Sequence, residues 1–253
     1  MTEENKIRTI DINCDMGEGM SNDEIIMLYI SSANIACGYH AGDEETMKRT
    51  VELAIQNNVA IGAHPSFFDK ENFGRKEKQL PSSEIYDLVS EQINILDKIA
   101  KEQGAGLSHV KPHGALYNIS AKNTEVAKTI AQAVKDFNNN LILFGLSGSR
   151  SINEARKIGL KTANEVFADR TYQDDGSLTH RSQQGALIEN TDRLLSHVLK
   201  MINDSAVIAT SGKEIPVVAD TICIHGDGNF ADLFAKTIYD VLKKENIKIE
   251  STV

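Results

Sequence analysis

The segment SHVKPHGALYN, residues 108–118, carries the pattern that decides the fold. It begins like the end of a buried strand, becomes polar at Lys111, and then turns through His113 and Gly114. Lys111 and His113 therefore stand where strand pairing stops. In α/β proteins the ends of parallel strands carry the chemistry, so this segment predicts both a strand and one side of a functional site.

The same pattern recurs along the chain. A short apolar or alternating run, a polar turn and a helical pattern follow one another about seven times, which predicts parallel strands with helices outside. Since 253 residues suit one (β/α) barrel, we predict an α/β fold with about seven parallel strands in a single catalytic domain over residues 1–253. Besides the opening segment, the predicted strands are residues 7–13, 33–37, 59–63, 141–144, 161–168 and 221–224.

Helices are predicted between these strands from apolar periodicity and capping residues. Six helices are predicted in this way. They are a helix beginning near Asn22, one from Asp43 to about Gln56, one over residues 85–100, a short one through Ala155, one over residues 186–202 and a last one through residues 233–242. The loop of residues 64–75 is long for a compact domain, and such loops often serve function.

Composition limits the partners and the compartment. The chain has 36 acidic and 27 basic side chains, and the net charge of -9 repels nucleic acid and anionic membranes. Three cysteines without CxxC spacing fit a reducing compartment better than a disulfide framework. The start of the chain lacks the basic and apolar regions of a signal peptide, and no run is apolar enough to span a membrane. We therefore expect a cytoplasmic protein with neither nucleic-acid nor membrane partners.

Acids, imidazoles and cations follow the predicted strands. In a parallel barrel these positions converge on one mouth, so residues far apart in sequence become neighbours. Other readings remain open: a histidine could be structural, Asp15 and Glu18 could cap a helix, and Asp169 could merely pair with Arg170. The residues at strand ends are Asp15, Glu18, His40, His64, Lys111, His113, Glu165, Asp169, Arg170, His225 and Asp227.

The remaining histidines and the cysteines carry less signal. His109 is left open between a structural and a functional role, whereas His180 and His197 are expected at the surface. The cysteines are expected to pack as small hydrophobic residues. They are Cys14, Cys37 and Cys223.

Two motifs resemble nucleotide sites but fail. Gly17-Glu18-Gly19 lacks the third glycine of a dinucleotide fingerprint, and Glu18 would oppose a pyrophosphate. Gly212-Lys213 is followed by Glu214, and Val207 stands where a Walker A loop needs glycine. No ATP site is visible in the sequence.

A divalent metal is a further alternative. The ligand types suit zinc or a harder transition metal, although no HExxH or comparably diagnostic spacing is present. The residues that could supply ligands are His40, His64, His113, His225, Asp15 and Asp227.

Six runs, covering nearly the whole chain in order, resemble the LamB/YcsF family. They are DINCDMGE (11–18), SSANIACGYHAGD (31–43), IGAHPS (61–66), HVKPHGALYN (109–118), EVFADR (165–170) and DTICIHGD (220–227). The resemblance implies a distorted (β/α) barrel similar to the carbohydrate deacetylase and glycoside hydrolase superfamily. It also implies ATP-dependent opening of 5-oxo-L-proline to L-glutamate, with 5-oxoprolinase subunits B and C as partners. The missing phosphate-binding loop fits a division of labour in which ATP is used with those partners.

Within that reading, water attacks the carbon of an activated lactam and needs a base, while the developing anion needs donors. Asp15 or His40 is the first choice of base, and His64, His113 and His225 carry or donate protons. Lys111 and Arg170 are expected to hold carboxylate or phosphoryl oxygens. The residues expected to bind substrate or orient the site are Glu18, Lys111, Asp169, Arg170 and Asp227.

Two other functions compete with this one. A metal-dependent amidase or carbohydrate deacetylase acting alone would also use a barrel with clustered imidazoles. A non-catalytic subunit that captures a small acid for a partner enzyme would use the same cations.

Overall fold

The computed structural model describes residues 8–228 and 230–252. Strands and helices alternate along most of this length. The strands are β1 (Arg8–Met16), β2 (Ser32–Ala36), β3 (Ala60–His64), β4 (His109–Val110), β5 (Ile142–Leu146), β6 (Lys161–Phe167), β7 (Ala206–Ile208), β8 (Glu214–Pro216), β9 (Thr221–Ile224) and β10 (Ile247–Ile249). The helices are α1 (Asp23–Ile26), α2 (Glu44–Gln56), α3 (Ser82–Glu102), α4 (Gly114–Lys122), α5 (Thr124–Phe137), α6 (Arg150–Lys157), α7 (Thr191–Asn203) and α8 (Ala231–Lys244).

Seven parallel strands close into a barrel in the order β1-β2-β3-β4-β5-β6-β9, because β9 also pairs with β1. The predicted barrel is therefore confirmed, and its closure is now established. The distortion lies at β4, where only two residues pair with each neighbour. The chain then adds β10, which pairs with the amino end of β1.

Several predicted elements differ from the structure. The helix predicted from Asn22 is a single turn, and α7 begins at Thr191 because residues 186–190 belong to the loop after β6. Helices α4 and α5 and the antiparallel β7–β8 pair were not predicted. Ile7, the first residue of the predicted first strand, lies outside the described residues.

Strand β1 shows how the sequence builds two buried layers. Ile10 and Ile12 belong to the apolar core cluster between barrel and helices. The alternate residues face the barrel interior and are also buried: Asn13 donates to Thr221 at 2.7 Å, and Asp15 accepts from Lys111 at 2.8 Å. The barrel interior is thus polar, and its inward side chains must satisfy one another.

Gly62 on β3 leaves room for a ring inside the barrel. A Cβ at Gly62 would lie 2.1 Å from His109 Nε2. The His109 ring stacks on Phe144 at 4.2 Å, and its Nε2 lies 2.8 Å from Asn34 Oδ1. His109 is therefore a buried residue of the barrel interior.

Within residues 8–228 and 230–252, no helix combines the length and the apolar character that crossing a bilayer requires.

Candidate active site

A cavity of about 1070 Å³ opens beyond the carboxyl ends of the barrel strands. Eight of the ten residues predicted to form the site line it, while His40 and Asp169 stand behind the lining side chains. The structure therefore brings all the predicted strand ends to one mouth. The eight lining residues are Asp15, Glu18, His64, Lys111, His113, Arg170, His225 and Asp227.

Lys111 lies on the cavity floor between two carboxylates. Its Nζ is 2.8 Å from Asp15 Oδ1 and 2.9 Å from Glu165 Oε1. Burial, the largest single influence, disfavours the ammonium, but the charge of Asp15 together with the other neighbouring groups raises the pKa of Lys111 well above its usual value. Burial likewise opposes ionisation of Asp15, yet His64 and Lys111 hold its pKa well below the usual range. A buried ion pair therefore fixes both groups at the base of the cavity.

Glu18, His40, His64 and His113 form what we call the imidazole cluster. Glu18 Oε1 lies 3.0 Å from His40 Nε2 and 3.3 Å from His113 Nδ1, and His64 Nε2 lies 2.8 Å from His113 Nδ1. His64 Nε2 is also 3.3 Å from Asp15 Oδ2. Four donor-capable side chains from four strand ends thus meet within one buried volume.

Burial sets the protonation of the imidazole cluster. It lowers the pKa of His40 to about 2, with the charge of His64 adding to the effect. Burial also lowers the pKa of His113 well below its usual value, and His40 contributes. Burial and the neighbouring charge of Asp15 raise the pKa of Glu18 well above its usual value. The rings of His40 and His113 are therefore neutral at physiological pH.

The long loop after β3 holds His113 in place. His113 Nε2 lies 2.9 Å from the carbonyl oxygen of Phe73, and the amide of Ala115 donates to the Gly74 carbonyl at 2.9 Å. Gly114 has φ +56°, and a Cβ there would lie 2.6 Å from the Gly74 oxygen. Glycine at 114 therefore permits the close approach that fixes the imidazole.

Asp169 and His225 form a second arrangement, the His225 dyad. Both carboxylate oxygens of Asp169 lie 2.9 Å from His225 Nδ1. Burial, the largest single influence, opposes ionisation of Asp169, but the charge and hydrogen bond of His225 together with the charges of Arg170 and Arg181 lower the pKa of the carboxyl. Asp169 therefore orients His225 and is not ion-paired with Arg170, whose guanidinium donates to the Thr179 carbonyl at 2.5 Å.

Three guanidinium groups form the arginine wall of the cavity: Arg75, Arg170 and Arg181. Asp227 pairs with Arg75 and lies 3.6 Å from Arg181. Arg170 is 6% exposed, and its Nε has no hydrogen-bond partner. Burial and the like charge of Arg181 lower the pKa of Arg170 to about 10. This wall is suited to an anionic group, since closely placed cations gain most from a shared anion.

Sequence reasoning missed several residues of the site. Arg75 and Arg181 carry no strand-end signal because they lie within long loops. Glu165 is predicted at a strand end, but its pairing with Lys111 is not. The inward Asn13 could have been found from the alternation of polar and apolar residues in DINCD, residues 11–15.

The prediction of His197 at the surface needs correction, whereas Cys223 packs in the apolar core as predicted. His197 is half-buried against Tyr172, with ring centroids 5.8 Å apart, and burial lowers its pKa to about 4. Cys223 lies with its sulfur 3.1 Å from Lys111 Nζ, so it borders the site as well as the apolar core. Burial raises the pKa of this thiol well above its usual value, which argues against a thiolate nucleophile. His180 is exposed, as predicted.

Among the described residues, the candidate metal ligands fall into two groups. Glu18, His40, His64 and His113 form the first, and Asp15, Cys223 and His225 form the second. The six residues considered from sequence are thus divided, and Asp227 pairs with arginines instead. The first group offers imidazole nitrogens and a carboxylate oxygen, a donor set that suits zinc and other first-row metals.

The chain has relatives along nearly its whole length. It is 49% identical over 246 residues to the A subunit of 5-oxoprolinase from Oceanobacillus iheyensis, covering 95% of this chain and 96% of that protein. A crystal structure of a lactam utilization protein from Thermus thermophilus superposes with a TM-score of 0.90 at 38% identity, covering 96% of this chain and 99% of that one.

A more distant solved structure bears on the fold alone. A peptidoglycan deacetylase from Bacillus subtilis matches with a TM-score of 0.51 at 11% identity, covering 98% of this chain and 89% of that one. The predicted similarity to deacetylase barrels is therefore confirmed. Residues 10–253 match the LamB/YcsF sequence profile. With that match and the full-length relatives, the chain belongs to the LamB/YcsF family.

Proposed function

We propose that this chain is the hydrolytic component of an ATP-dependent 5-oxoprolinase, which opens 5-oxo-L-proline to L-glutamate. The observation that carries the proposal is a single cavity whose lining combines acids, imidazoles and the arginine wall. The names of the full-length relatives point to the substrate and to an enzyme of several subunits. ATP is the co-substrate, used together with subunits B and C. The protein acts in the cytoplasm, because three free cysteines fit a reducing compartment.

The proposed reaction begins with a lactam made electrophilic by phosphorylation on its oxygen. A lactam resists attack because its nitrogen donates into the carbonyl, and a phosphoryl group on that oxygen makes the ring carbon electrophilic. Water adds to this carbon, and the C–N bond of the ring breaks as the nitrogen takes a proton. The acyl phosphate so formed is hydrolysed by a second water to glutamate and phosphate. Arg170 and Arg181 hold the phosphoryl or carboxylate oxygens at the wall. The ring carbon then points toward Asp15 and His225.

His225 is the base that the geometry favours. Asp169 binds its Nδ1, which leaves Nε2 to accept a proton from water. Ligand atoms of His225 and Asp15 lie within 4.8 Å of each other, a span that one water molecule bridges. His40 is less suited because it does not line the cavity and is 1% exposed. Asp15, held by Lys111, positions the water by accepting its second hydrogen.

The test measures 5-oxoproline-dependent ATP hydrolysis and glutamate release. The chain is assayed alone, and then with candidate subunits B and C. We expect both products only from the complete assembly. Glutamate formation by the chain alone would instead support a stand-alone amidase. A third outcome is that the intact assembly binds 5-oxoproline but no substitution in this chain affects turnover. In that case the chain is a non-catalytic binding component.

A further inference from the structure

His64 and His113 are each oriented by a backbone carbonyl. His64 Nδ1 lies 2.7 Å from the Lys111 carbonyl oxygen, and His113 Nε2 lies 2.9 Å from that of Phe73. A carbonyl oxygen only accepts, so each of these ring nitrogens carries a proton. In a neutral imidazole the opposite nitrogen then presents a bare lone pair.

The two bare nitrogens face each other. His64 Nε2 and His113 Nδ1 lie 2.8 Å apart, in residues that are 0% and 5% exposed. Glu18 Oε1, a further acceptor, is 3.3 Å from His113 Nδ1 and 3.9 Å from His64 Nε2. With both imidazoles neutral and Glu18 ionised, three electron-rich atoms converge with no proton between them, and Asp15 Oδ2 adds a fourth acceptor 3.3 Å from His64 Nε2. A buried arrangement of this kind is stabilised by a cation at its centre.

His40 belongs to the imidazole cluster but is poorly placed to share such an ion. Its ring is stacked on His113 with centroids 3.8 Å apart and planes inclined by 6°. Zinc–nitrogen bonds of about 2.0–2.1 Å lie near the plane of the imidazole, so two parallel stacked rings do not aim at one ion. His40 Nε2 instead lies 3.0 Å from Glu18 Oε1, where it can orient the carboxylate.

The geometry points to a divalent transition-metal site formed by His64 Nε2, His113 Nδ1 and Glu18 Oε1, with His40 as a positioning residue. Ligand bonds of about 2.1 Å at tetrahedral angles put donors about 3.4 Å apart, within the observed range of separations. The two carbonyls that hold the imidazoles are the outer partners that metal-bound histidines normally have.

One position of this metal site faces the cavity. Glu18, His64 and His113 all line it, whereas His40 closes the site from behind. Two imidazoles and one carboxylate with an open position are typical of catalytic metal sites. An ion bound there would supply a Lewis acid beside the lactam carbon. The site rests on donor geometry and not on the proposed reaction.

The test loads chelator-treated protein with Zn²⁺ or Co²⁺. Metal content is measured by mass spectrometry, affinity by competition with a chelator, and ligand geometry from the visible spectrum of Co²⁺. We expect one ion per chain and a higher melting temperature with the ion bound. Substitutions H64Q, H113Q and E18Q should each weaken binding more than about a hundredfold, and H40Q about ten- to a hundredfold.

Matched controls address the second ligand group. H225Q and C223S remove donors from the same cavity region and should retain the ion at wild-type affinity. The proposed site is wrong if the wild-type chain does not bind one metal ion per chain. It is also wrong if H225Q or C223S loses the ion while H64Q keeps it. A thiolate charge-transfer band with Co²⁺ would also overturn it, because it would place the ion at Cys223. Circular dichroism identifies variants that fail to fold, and the wild-type cobalt spectrum decides the question independently of them.

Discussion

The imidazole cluster and the His225 dyad face one cavity, but they are built differently. In the cluster, three rings converge on one carboxylate and are nearly inaccessible to water, and two of them, His64 and His113, are held by backbone carbonyls. In the dyad, a single ring is held by Asp169 through one nitrogen, and its side chain is 13% exposed. Lone pairs that converge with no proton between them, as in the cluster, suit the binding of a metal ion. A single oriented ring nitrogen that the cavity can reach, as in the dyad, suits the transfer of a proton.

The largest expected effect comes from Asp15, which lies between these two arrangements. Asp15→Asn keeps the shape of the side chain but removes the charge that pairs with Lys111 and that, in the proposed reaction, orients the water. Glutamate formation with subunits B and C should fall roughly 100- to 10,000-fold. The measurement is the rate of glutamate release by the assembled complex.

Asp11→Asn is the matched control for that substitution. Asp11 faces the interior from the same strand but bonds to Ser31, Ser32 and Thr221, away from the cavity. Its turnover should stay within a few-fold of wild type. If Asp15→Asn is folded and turns over as fast as Asp11→Asn, the role given to Asp15 is wrong.

Asp169→Asn tests whether the His225 dyad and the imidazole cluster act as two separate sites. Without the carboxylate, the His225 ring loses its orientation, and kcat should fall about ten- to a hundredfold while KM for 5-oxoproline changes little. Metal content should not change, because Asp169 lies outside the cluster. A variant that loses metal together with activity would show that the two arrangements are one site.

Gly62→Ala tests the packing below the cluster. The added Cβ meets the His109 ring at 2.1 Å, so we expect a loss of about 1–3 kcal/mol or more in the free energy of unfolding. Chemical denaturation measures it. The double variant G62A/H109S should lose less than the sum of the single changes, because the clash is gone. Strict additivity would contradict the steric explanation.

The smallest effect is a pH dependence of stability from His109. Burial, then the charge of Lys111, lowers its pKa from 6.5 to about 3. Because the folded-state pKa is depressed, this contribution to stability is present above pH 6.5 and is lost progressively as the pH falls toward 3. Replacing His109 with Gln should therefore reduce the stability lost between pH 7 and pH 5 by about 2 kcal/mol. The free energy of unfolding is measured at both pH values for the wild type and the His109→Gln variant. An equal loss between pH 7 and pH 5 in the two proteins would refute this prediction.

Strand ends were the part of this site that the sequence could predict. Polar residues that interrupt an apolar strand, such as Lys111 and His113, identify the mouth because parallel strands end together. Pairing across the barrel was not predictable, since it depends on register: Glu165 faces Lys111 only once β6 pairs with both β5 and β9. Arg75 and Arg181 come from long loops whose paths depend on tertiary contacts, such as the carbonyl of Gly74 against Gly114.

The fold was likewise predictable from the sequence only in part. Alternating apolar and polar runs predicted all seven barrel strands to within a few residues. Helices α4 and α5 are missing from the prediction, although α5 has a regular buried face that its periodicity indicates. The helix predicted from residue 186 begins only at Thr191, because the apolar Leu187 and Ile188 bond to the loop after β6.

Strand β10 sets residues 247–249 alongside Arg8, Thr9 and Ile10, at the end of the barrel opposite the cavity. The beginning of β1 and the last strand of the chain are therefore neighbours in space. A short linker between them, with new termini opened in the β7–β8 turn, would give a circularly permuted barrel in which each strand keeps its neighbours. An immobilisation tether attached at this end would leave the mouth open to partner proteins on a sensor surface.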